Sequence, residues 1–257
     1  MEELSLRRLD EISLALFASS AYSAPAAQPH QLTPFFEWYW LKSSGHKLDE
    51  LVAQGRLSQL QAELRKRHSF WIAPAALGAG FLRIRRDHTD VENIAWVSFR
   101  LAFNRAVRQA GFAKSVADQL TGVLQEMEDN IHCHSNRSRS GIVAYLTHPS
   151  VFEFVVMDRG QGVLASLRQA PEFSGLSDHG TALQLAIATG NSRFGTGVGR
   201  GWGFSEITLG IANQNALVRF RSGDHLLELD GTRNAMKSRS AQRASGNGLL
   251  VAVQVHR

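Results

Sequence analysis

The segment from Val116 to Ser135 constrains the fold most, because its hydrophobic pattern has the period of an α-helix. Its apolar residues recur at intervals of three and four, namely Val116, Leu120, Val123, Leu124, Met127 and Ile131. Beside this apolar stripe, Glu126, Asn130 and His134 follow one another at four-residue spacing. Side chains at that spacing share one side of a helix. The pattern therefore predicts an amphipathic helix with an acid, an amide and an imidazole along the rim of its buried face.

The polar rim of this helix has two interpretations. Glu126 is expected at the edge of the buried face, where a partly desolvated carboxylate can act as a base, whereas Glu128 and Asp129 are expected to project away from it. The alternative is a solvated acidic turn on an ordinary amphipathic helix. Successive helical residues diverge by about 100°, so the His-Cys-His run at 132–134 is not expected to hold one metal ion. His134 is expected to be structural.

Two segments of alternating hydrophobicity after this helix predict a β-hairpin. They run from Ile142 to Thr147 and from Val151 to Met157. The two-residue period places Asp158 on the face of the second strand that the helices are expected to cover. Gly160 and Gly162 follow in the sequence DRGQG and allow the backbone to approach a ligand closely. A plain exit from strand to loop is the alternative explanation.

A long segment from Leu164 to Arg200 comes next and contains one predicted helix, from Asp178 to Thr189. It ends in FGTGVGRGWGF, where glycine occupies every second position from Gly195 to Gly203. A helix is predicted over about 203–213, and glycines that lead into a helix expose backbone N–H groups to phosphate oxygens. A flexible loop is the alternative. Neither the P-loop motif nor the dinucleotide-binding fingerprint occurs in the sequence.

The two ends of the chain carry no catalytic pattern. Three strands are predicted near the C-terminal end, namely Ala216–Arg221, His225–Asp230 and Leu249–Val255, with a basic linker from Arg233 to Arg243 before the last. Residues 1–85 are predicted to form a smaller, partly helical N-terminal region of unknown role. It includes a helix from Lys47 to Arg67 that Gly55 could divide in two. Its aromatic cluster, Phe35, Phe36, Trp38, Tyr39 and Trp40, is predicted to be buried core, with a docking surface as the alternative.

Composition limits the classes of partner and compartment. Lys and Arg outnumber Asp and Glu, 28 against 23, which suits phosphate-bearing ligands or nucleic acid without identifying either. A nucleic-acid partner is conceivable for the first 90 residues, but solvated surface charge explains the basic clusters better. The single cysteine, Cys133, fits a reducing compartment such as the cytoplasm. The acidic residues ahead of the first apolar run argue against an export signal, and no apolar run is long enough for a membrane span.

Three motifs, taken in order, resemble those of one ATPase superfamily. They are E-x-x-D-N from Glu126 to Asn130, D-R-G-Q-G from Asp158 to Gly162, and G-R-G-W-G from Gly199 to Gly203. The superfamily is the one named for gyrase, a heat-shock chaperone, histidine kinases and MutL (GHKL). The resemblance covers roughly Asp90 to Arg257, and the segment before the last motif looks most like the lid of anti-sigma-factor serine kinases of bacteria. It implies an α/β sandwich of Bergerat type over residues 86–257, with a mixed sheet, helices on one face and an ATP lid.

The resemblance also implies roles for individual residues. Asp158 would accept a hydrogen bond from the adenine amino group, and Gly160 and Gly162 would pass close to the base and sugar. Asn130 would hold Mg²⁺ through its amide oxygen, since this cation takes hard oxygen ligands. Glu126 would be the general base that polarises a water or a protein hydroxyl for attack on the γ-phosphate.

The implied lid supplies the remaining ligands of the phosphates. Gly199, Gly201 and Gly203 would close around the phosphate tail, and Arg193 and Arg200 would offset its charge. Departures from the family pattern follow in the bulky residues Trp202 and Phe204, where small or aliphatic residues are common. They raise the prospect of unusual binding or slow turnover.

Three functions are consistent with this resemblance. The first is a Mg²⁺-dependent, ATP-binding regulatory protein that phosphorylates or gates a small protein partner, such as a STAS-like or sigma-regulatory protein. The second is an ATP-hydrolysing clamp of the gyrase and chaperone type, working as a homodimer. The third is a non-catalytic ATP-binding scaffold. A histidine autokinase is disfavoured, because no H-E dipeptide on a long helix precedes Asp90.

Overall fold

The structure, a computed structural model, describes residues 1–74, 77–84, 90–135, 141–188, 215–232 and 236–257, with backbone only at 90–93 and 134. The helices of this part of the chain are α1 Leu6–Ala18, α2 Leu32–Ser43, α3 Arg56–Arg65, α4 Asp90–Gln109, α5 Lys114–His134, α6 Gly162–Leu167 and α7 His179–Ile187. Its strands are β1 Glu2–Glu3, β2 Ala27–Gln28, β3 Phe70–Ile72, β4 Ala79–Ile84, β5 Gly141–Thr147, β6 Val151–Met157, β7 Ala216–Asp230 and β8 Lys237–His256. The prediction of a fold that mixes helices with a sheet is confirmed.

Six of the strands form one sheet in the order β3-β4-β5-β6-β8-β7, and every neighbouring pair is antiparallel. The expectation of a mixed sheet is therefore wrong for the described strands; only the short β1–β2 pair is parallel. The predicted hairpin is present as β5 and β6, with Ile142 opposite Met157. The C-terminal strand β8 lies between β6 and β7, so β7 reaches the sheet only through β8.

Helices α4 and α5 cover one face of the sheet. Phe99, Phe103 and Leu124 of these helices are fully buried against strand residues such as Phe154 and Val253. The ring of Phe103 packs edge to face on that of Phe154, with centroids 5.4 Å apart. This arrangement is favourable for aromatic pairs beyond the area that they bury.

The opposite face of the sheet is covered by the N-terminal helices α1, α2 and α3. The strands supply apolar residues to this face as well, including Ala144, Leu146 and Val155, so the sheet is buried on both sides. The helices α4, α5 and α7 of residues 86–257 pack on one face of the sheet, and the N-terminal region covers the other. The predicted domain boundary at residue 85 falls between β4 and α4, which leaves β3 and β4 of the sheet on its N-terminal side.

The aromatic cluster of α2 is part of this second core, as predicted. Phe35, Phe36, Trp38 and Trp40 are at most 5% exposed, whereas Tyr39 is 43% exposed. The Nε1 group of Trp40 donates to the Asn247 carbonyl oxygen, 2.8 Å away. Helix α2 thus packs directly on the sheet.

A buried carboxylate from β6 fixes the start of α2. Glu153 is fully buried and accepts hydrogen bonds from the backbone N–H groups of Leu32 and Thr33, at 3.3 and 3.1 Å. The side chains of Thr33 and Gln254 donate to the same carboxylate. An acid at this position satisfies helix N–H groups that have no partner within the helix and is favoured by the helix dipole.

The predicted helix over Lys47–Arg67 is wrong in its first half. Helix α3 begins only at Arg56, directly after Gly55, whose φ of 57° interrupts any preceding helix. The preceding backbone pairs instead with the loop after α1, where Leu48 and Leu51 form isolated bridges with Ala24 and Ala27. Apolar spacing alone did not distinguish this extended segment from a helix.

The three predicted C-terminal segments are strands, but they belong to only two strands, β7 and β8, and the predicted basic linker is wrong. Strand β7 is continuous through a bulge at Gly223, which has a φ of 57°. Residues 237–243, within the predicted linker, belong to β8 and pair with the second half of β7, for example Ser238 with Leu229. These residues are mostly exposed and polar, so they lack the alternation that marks a half-buried strand.

Candidate functional site

Asp158 lies immediately after β6 and is 4% exposed. Its Oδ1 accepts a hydrogen bond from the Gly160 N–H, at 2.5 Å, and its own N–H donates to the Leu249 carbonyl oxygen, at 2.8 Å. Burial raises the pKa of Asp158 to about 6, although the N–H groups of Gly160 and Leu249 favour the ionised form. No charged group of the described residues contributes to this shift. Within the described ranges, the carboxylate is therefore buried with backbone donors alone.

Glycines allow the backbone to close around this carboxylate. A Cβ atom on Gly160 would overlap the backbone of Ser135 and lie 2.7 Å from Oδ1 of Asp158. A Cβ atom on Gly248, which has a φ of 84°, would overlap the backbone of Asp158 and also lie 2.7 Å from Oδ1. Side chains at either position would displace the carboxylate or the α5 terminus.

Hydrogen bonds join the loop after Asp158 to the end of α5, to β7 and to the part of β8 at Gly248. The Ser135 carbonyl oxygen accepts from the Gln161 N–H, at 3.0 Å. The Ser222 hydroxyl accepts from the Val163 N–H, at 2.9 Å, and donates to the Gly248 carbonyl oxygen, at 3.0 Å. These bonds hold the start of α6, the end of α5 and the part of β8 at Gly248 together around Asp158.

Asn130 and Glu126 lie on α5, on the N-terminal side of this junction. Asn130 is half-buried and Glu126 is exposed. At 1.5 Å per residue they precede Ser135 along the helix axis by about 7 Å and about 14 Å. The amide is thus nearer to Asp158 along α5, and the carboxylate is farther away.

The expectation about the neighbouring acids of α5 is partly wrong. Glu128 is 8% exposed and its Oε1 lies 2.5 Å from Nε2 of His132, whereas Glu126 is exposed rather than partly desolvated. The reason is phase: Glu128 is four residues after Leu124 and three before Ile131, so it flanks the apolar stripe. Asp129 is exposed, as expected.

The predicted lid residues lie outside the described residues, which omit 189–214. They are Arg193, Gly199, Arg200, Gly201 and Gly203. The predicted helix over 203–213 lies in the same range. The helix before it is confirmed as α7, with the Asp178 side chain accepting from the Thr181 N–H at its start. Two shorter elements were missed, α6 and a 3₁₀ turn at Pro171–Phe173.

Two residues of the site were also missed in the sequence. Gly248 has a detectable signal, because Asn247-Gly248 is a turn dipeptide directly before a predicted strand. Ser222 has none, since its role depends on β7 passing beside α6. A serine within a strand is not distinctive.

The described residues include no group of three or more His, Cys, Asp or Glu side chains placed to hold a metal ion. The described side chains therefore do not form a cation site by themselves. Mg²⁺ that arrives with nucleotide needs few protein ligands, because it keeps waters and phosphate oxygens. The half-buried amide of Asn130 is compatible with that mode.

A scan against protein-family models and a search of characterised protein sequences gave no match for this chain. No helix in the described ranges has the length and apolar character needed to cross a membrane.

Proposed function

We propose that this chain is a Mg²⁺-dependent, ATP-binding regulatory protein that phosphorylates or gates a protein partner, in the manner of anti-sigma-factor serine/threonine kinases. The observation that carries the proposal is the Asp158 carboxylate, which is buried at the end of β6 with a raised pKa and, in the part of the chain that the structure describes, has only backbone donors. A desolvated carboxylate lowers stability. Its presence is explained if a ligand amino group, such as that of adenine, donates to it.

The order of the side chains along α5 supports the same proposal. Asp158, which follows β6, lies near the C-terminal end of α5. Asn130 precedes that end by about 7 Å along the helix axis, and Glu126 precedes it by about 14 Å. An extended nucleotide needs its base, its metal-bound phosphates and its attacking group in that sequence. Bound Mg²⁺ would neutralise phosphate charge. Asn130 would orient the phosphates, and the exposed Glu126 would accept the proton of the attacking hydroxyl.

The loop after Asp158 and the segment proposed as the lid supply the remaining residues of the proposed site. Gly160 and Gly162 adjoin Asp158 in the sequence and are proposed to pass close to the base and sugar. Gly199, Gly201 and Gly203, with Arg193 and Arg200, are proposed to enclose the phosphate tail. A cytoplasmic setting and a small sigma-regulatory or STAS-like partner belong to this proposal.

A second candidate, the ATP-driven homodimeric clamp, is favoured by one feature of α4. Ile94, Val97 and Leu101 are spaced at three and four residues and are 65%, 52% and 63% exposed. They form an apolar stripe on the outer side of the helix, which suits contact with another chain. Sedimentation with a non-hydrolysable ATP analogue separates the candidates: a shift to dimer favours the clamp, and an unchanged monomer favours the kinase.

Two substitutions should separate binding from turnover. We expect Asp158→Asn to weaken ATP binding ten- to a hundredfold, since hydrogen bonds to a charged group contribute roughly 1.5–3 kcal/mol. We expect Glu126→Ala to leave binding within about twofold and to lower phosphate transfer or release at least about a hundredfold. Calorimetry with ATP and Mg²⁺, alongside a labelled-ATP transfer assay with candidate partners, measures both.

Two control positions lie on α5, the helix that carries Glu126. Asp118→Asn changes an exposed acid near the start of α5, and Asp129→Ala removes an exposed acid beside Asn130. Neither should alter ATP affinity by more than about twofold. Undiminished ATP binding by Asp158→Asn, or absence of binding by the unchanged protein, would contradict the proposed function.

A further inference from the structure

A cavity of about 550 Å³ lies on the face of the sheet opposite α4 and α5. It is enclosed by α2, the loop at 50–51, α3 and the strands β4 and β5. The volume falls within the range of small-molecule sites, about 300–1,000 Å³. It is separate from the Asp158 junction, where none of its lining residues lies.

The walls of the cavity are apolar, and their polar groups already have partners. Phe35, Phe36 and Trp38 are at most 5% exposed and form one side. The Trp38 Nε1 group donates to the Asp49 carbonyl oxygen, at 3.1 Å. The amide of Gln61 donates to the Leu51 carbonyl oxygen and accepts from the Ala53 N–H. A nucleobase or sugar would find few partners here, so the walls favour a hydrocarbon body.

The rim of the cavity is strongly basic. Its four cations, Lys42, Arg65, Arg67 and Arg83, face a single carboxylate, Glu50. Glu50 lies 3.5 Å from Nζ of Lys42 and 3.2 Å from Nη2 of Arg65. Three positive charges therefore remain uncompensated among the lining residues, which favours an anionic group at the rim.

Two of these arginines have no acidic partner among the described residues, and carbonyl groups fix one of them, Arg83. The guanidinium of Arg83 donates to the Leu64 and His68 carbonyl oxygens, at 3.0 and 3.1 Å. Arg67 has a φ of 61°, a left-handed conformation that is unfavourable for a residue with a long side chain. No carboxylate of the described residues forms an ion pair with Arg67. This conformation ends α3, since Lys66 is the helix C-cap and the Arg67 N–H donates to the Leu64 carbonyl oxygen, at 3.3 Å.

We propose that this cavity binds a single-chain alkyl or acyl phosphate, with the chain between α2 and α3 and the phosphate at Arg67 and Arg83. The apolar walls match the chain, and the excess of three positive charges matches a phosphate dianion better than a carboxylate. Arginine guanidinium groups bind phosphate oxygens in a forked geometry. The proposal does not depend on nucleotide binding at Asp158.

Calorimetry with the full chain and dodecyl phosphate, below its micelle concentration, tests this proposal. We expect saturable one-to-one binding in the micromolar range, with dodecanoate at least about tenfold weaker and inorganic phosphate or dodecyltrimethylammonium not measurable. Equal affinity for dodecanoate or for the cationic detergent would overturn it, as would no binding of dodecyl phosphate.

A charge-removing variant that preserves the backbone makes the test specific. Asn tolerates left-handed φ values, so Arg67→Asn should keep the fold and lower dodecyl phosphate affinity about tenfold. The matched control is Lys66→Gln, at an exposed neighbour that pairs with Glu63 and does not line the cavity. Equal affinities for these two variants would contradict the role of Arg67. ATP binding should be unchanged in both, which keeps this result distinct from the Asp158 proposal.

Discussion

Replacing Glu37 with glutamine should lower the free energy of unfolding by about 3–5 kcal/mol, because it leaves two buried arginines without their shared counter-charge. Glu37 and Arg221 are both fully buried, and Arg219 is 1% exposed. Oε1 of Glu37 lies 2.8 Å from Nη1 of Arg221, and Oε2 lies 3.2 Å from Nη2 of Arg219. Glutamine has nearly the same volume, so the change isolates the charge from cavity formation. Urea unfolding followed by circular dichroism measures the difference.

The ion network around Glu37 explains the size of this effect. Arg219 also binds Asp10 of α1, at 2.7 Å, and pairs with Glu228 of β7. Arg221 donates to the Ser13 hydroxyl and to the Ala244 carbonyl oxygen. The network therefore connects α1 and α2 to β7 and β8, and removing its central charge should loosen the whole N-terminal layer.

The matched control for Glu37 is Glu11→Gln. Glu11 forms exposed ion pairs with Arg7 and Arg8, at 3.2 and 3.3 Å, with its side chain 49% exposed. Exposed pairs of this kind contribute about 0.2–1 kcal/mol. If Glu37→Gln is no more destabilising than Glu11→Gln, the buried network does not hold the N-terminal layer on the sheet.

The free energy of unfolding of Asp158→Asn, relative to that of the unchanged protein, should rise as pH increases from about 4 to about 7. Burial raises the pKa of Asp158 to about 6, above its ordinary value of 3.8. The folded state thus holds this proton more tightly than the unfolded state. The resulting stabilisation is complete below the unfolded pKa and is lost as pH rises through the folded pKa. A shift of about two pKa units corresponds to about 3 kcal/mol, and asparagine removes this pH dependence.

Measuring unfolding free energies of both proteins at several pH values tests this linkage. Asp118 provides a control of opposite sign, because hydrogen bonds from Lys114 and Asn104 hold the pKa of its carboxyl below the usual value. Asp118→Asn should therefore lose stability relative to the unchanged protein as pH rises, by a small amount. A constant difference for Asp158→Asn between pH 4 and 7 would contradict a buried, weakly acidic carboxylate.

Hydrophobic periodicity and capping residues in the sequence predicted individual helices and one hairpin, because these signals depend only on neighbouring residues. The helical period placed α5 within two residues of its ends, and alternation located the β5–β6 hairpin with Asp158 directly after it. Asp178 was placed correctly as the start of α7. Each of these signals is contained in a stretch of about twenty residues or fewer, so no long-range information was needed.

Some of the errors concern contacts between distant parts of the chain. Glu128 was assigned to solvent because its burial depends on which flank of α5 faces the sheet. The polar half of β8 was assigned to a linker because its residues are mostly exposed and polar, although it pairs locally with the end of β7, where Asp230 lies opposite Lys237. The burial of the α2 aromatic residues was predicted, but strand residues such as Ala144 do not reveal from sequence which face of the sheet α2 covers.

The N-terminal layer and the two C-terminal strands are far apart in the chain. Glu37 and Arg219 are 182 positions apart, and Ser13 and Arg221 are 208 positions apart. During folding, α1 and α2 therefore cannot find their ionic partners until β7 and β8 are in register beside β6. Loop closure on this scale is entropically unfavourable and slow. Helices α1 and α2 therefore precede their partners in the chain but are among the last elements to pack.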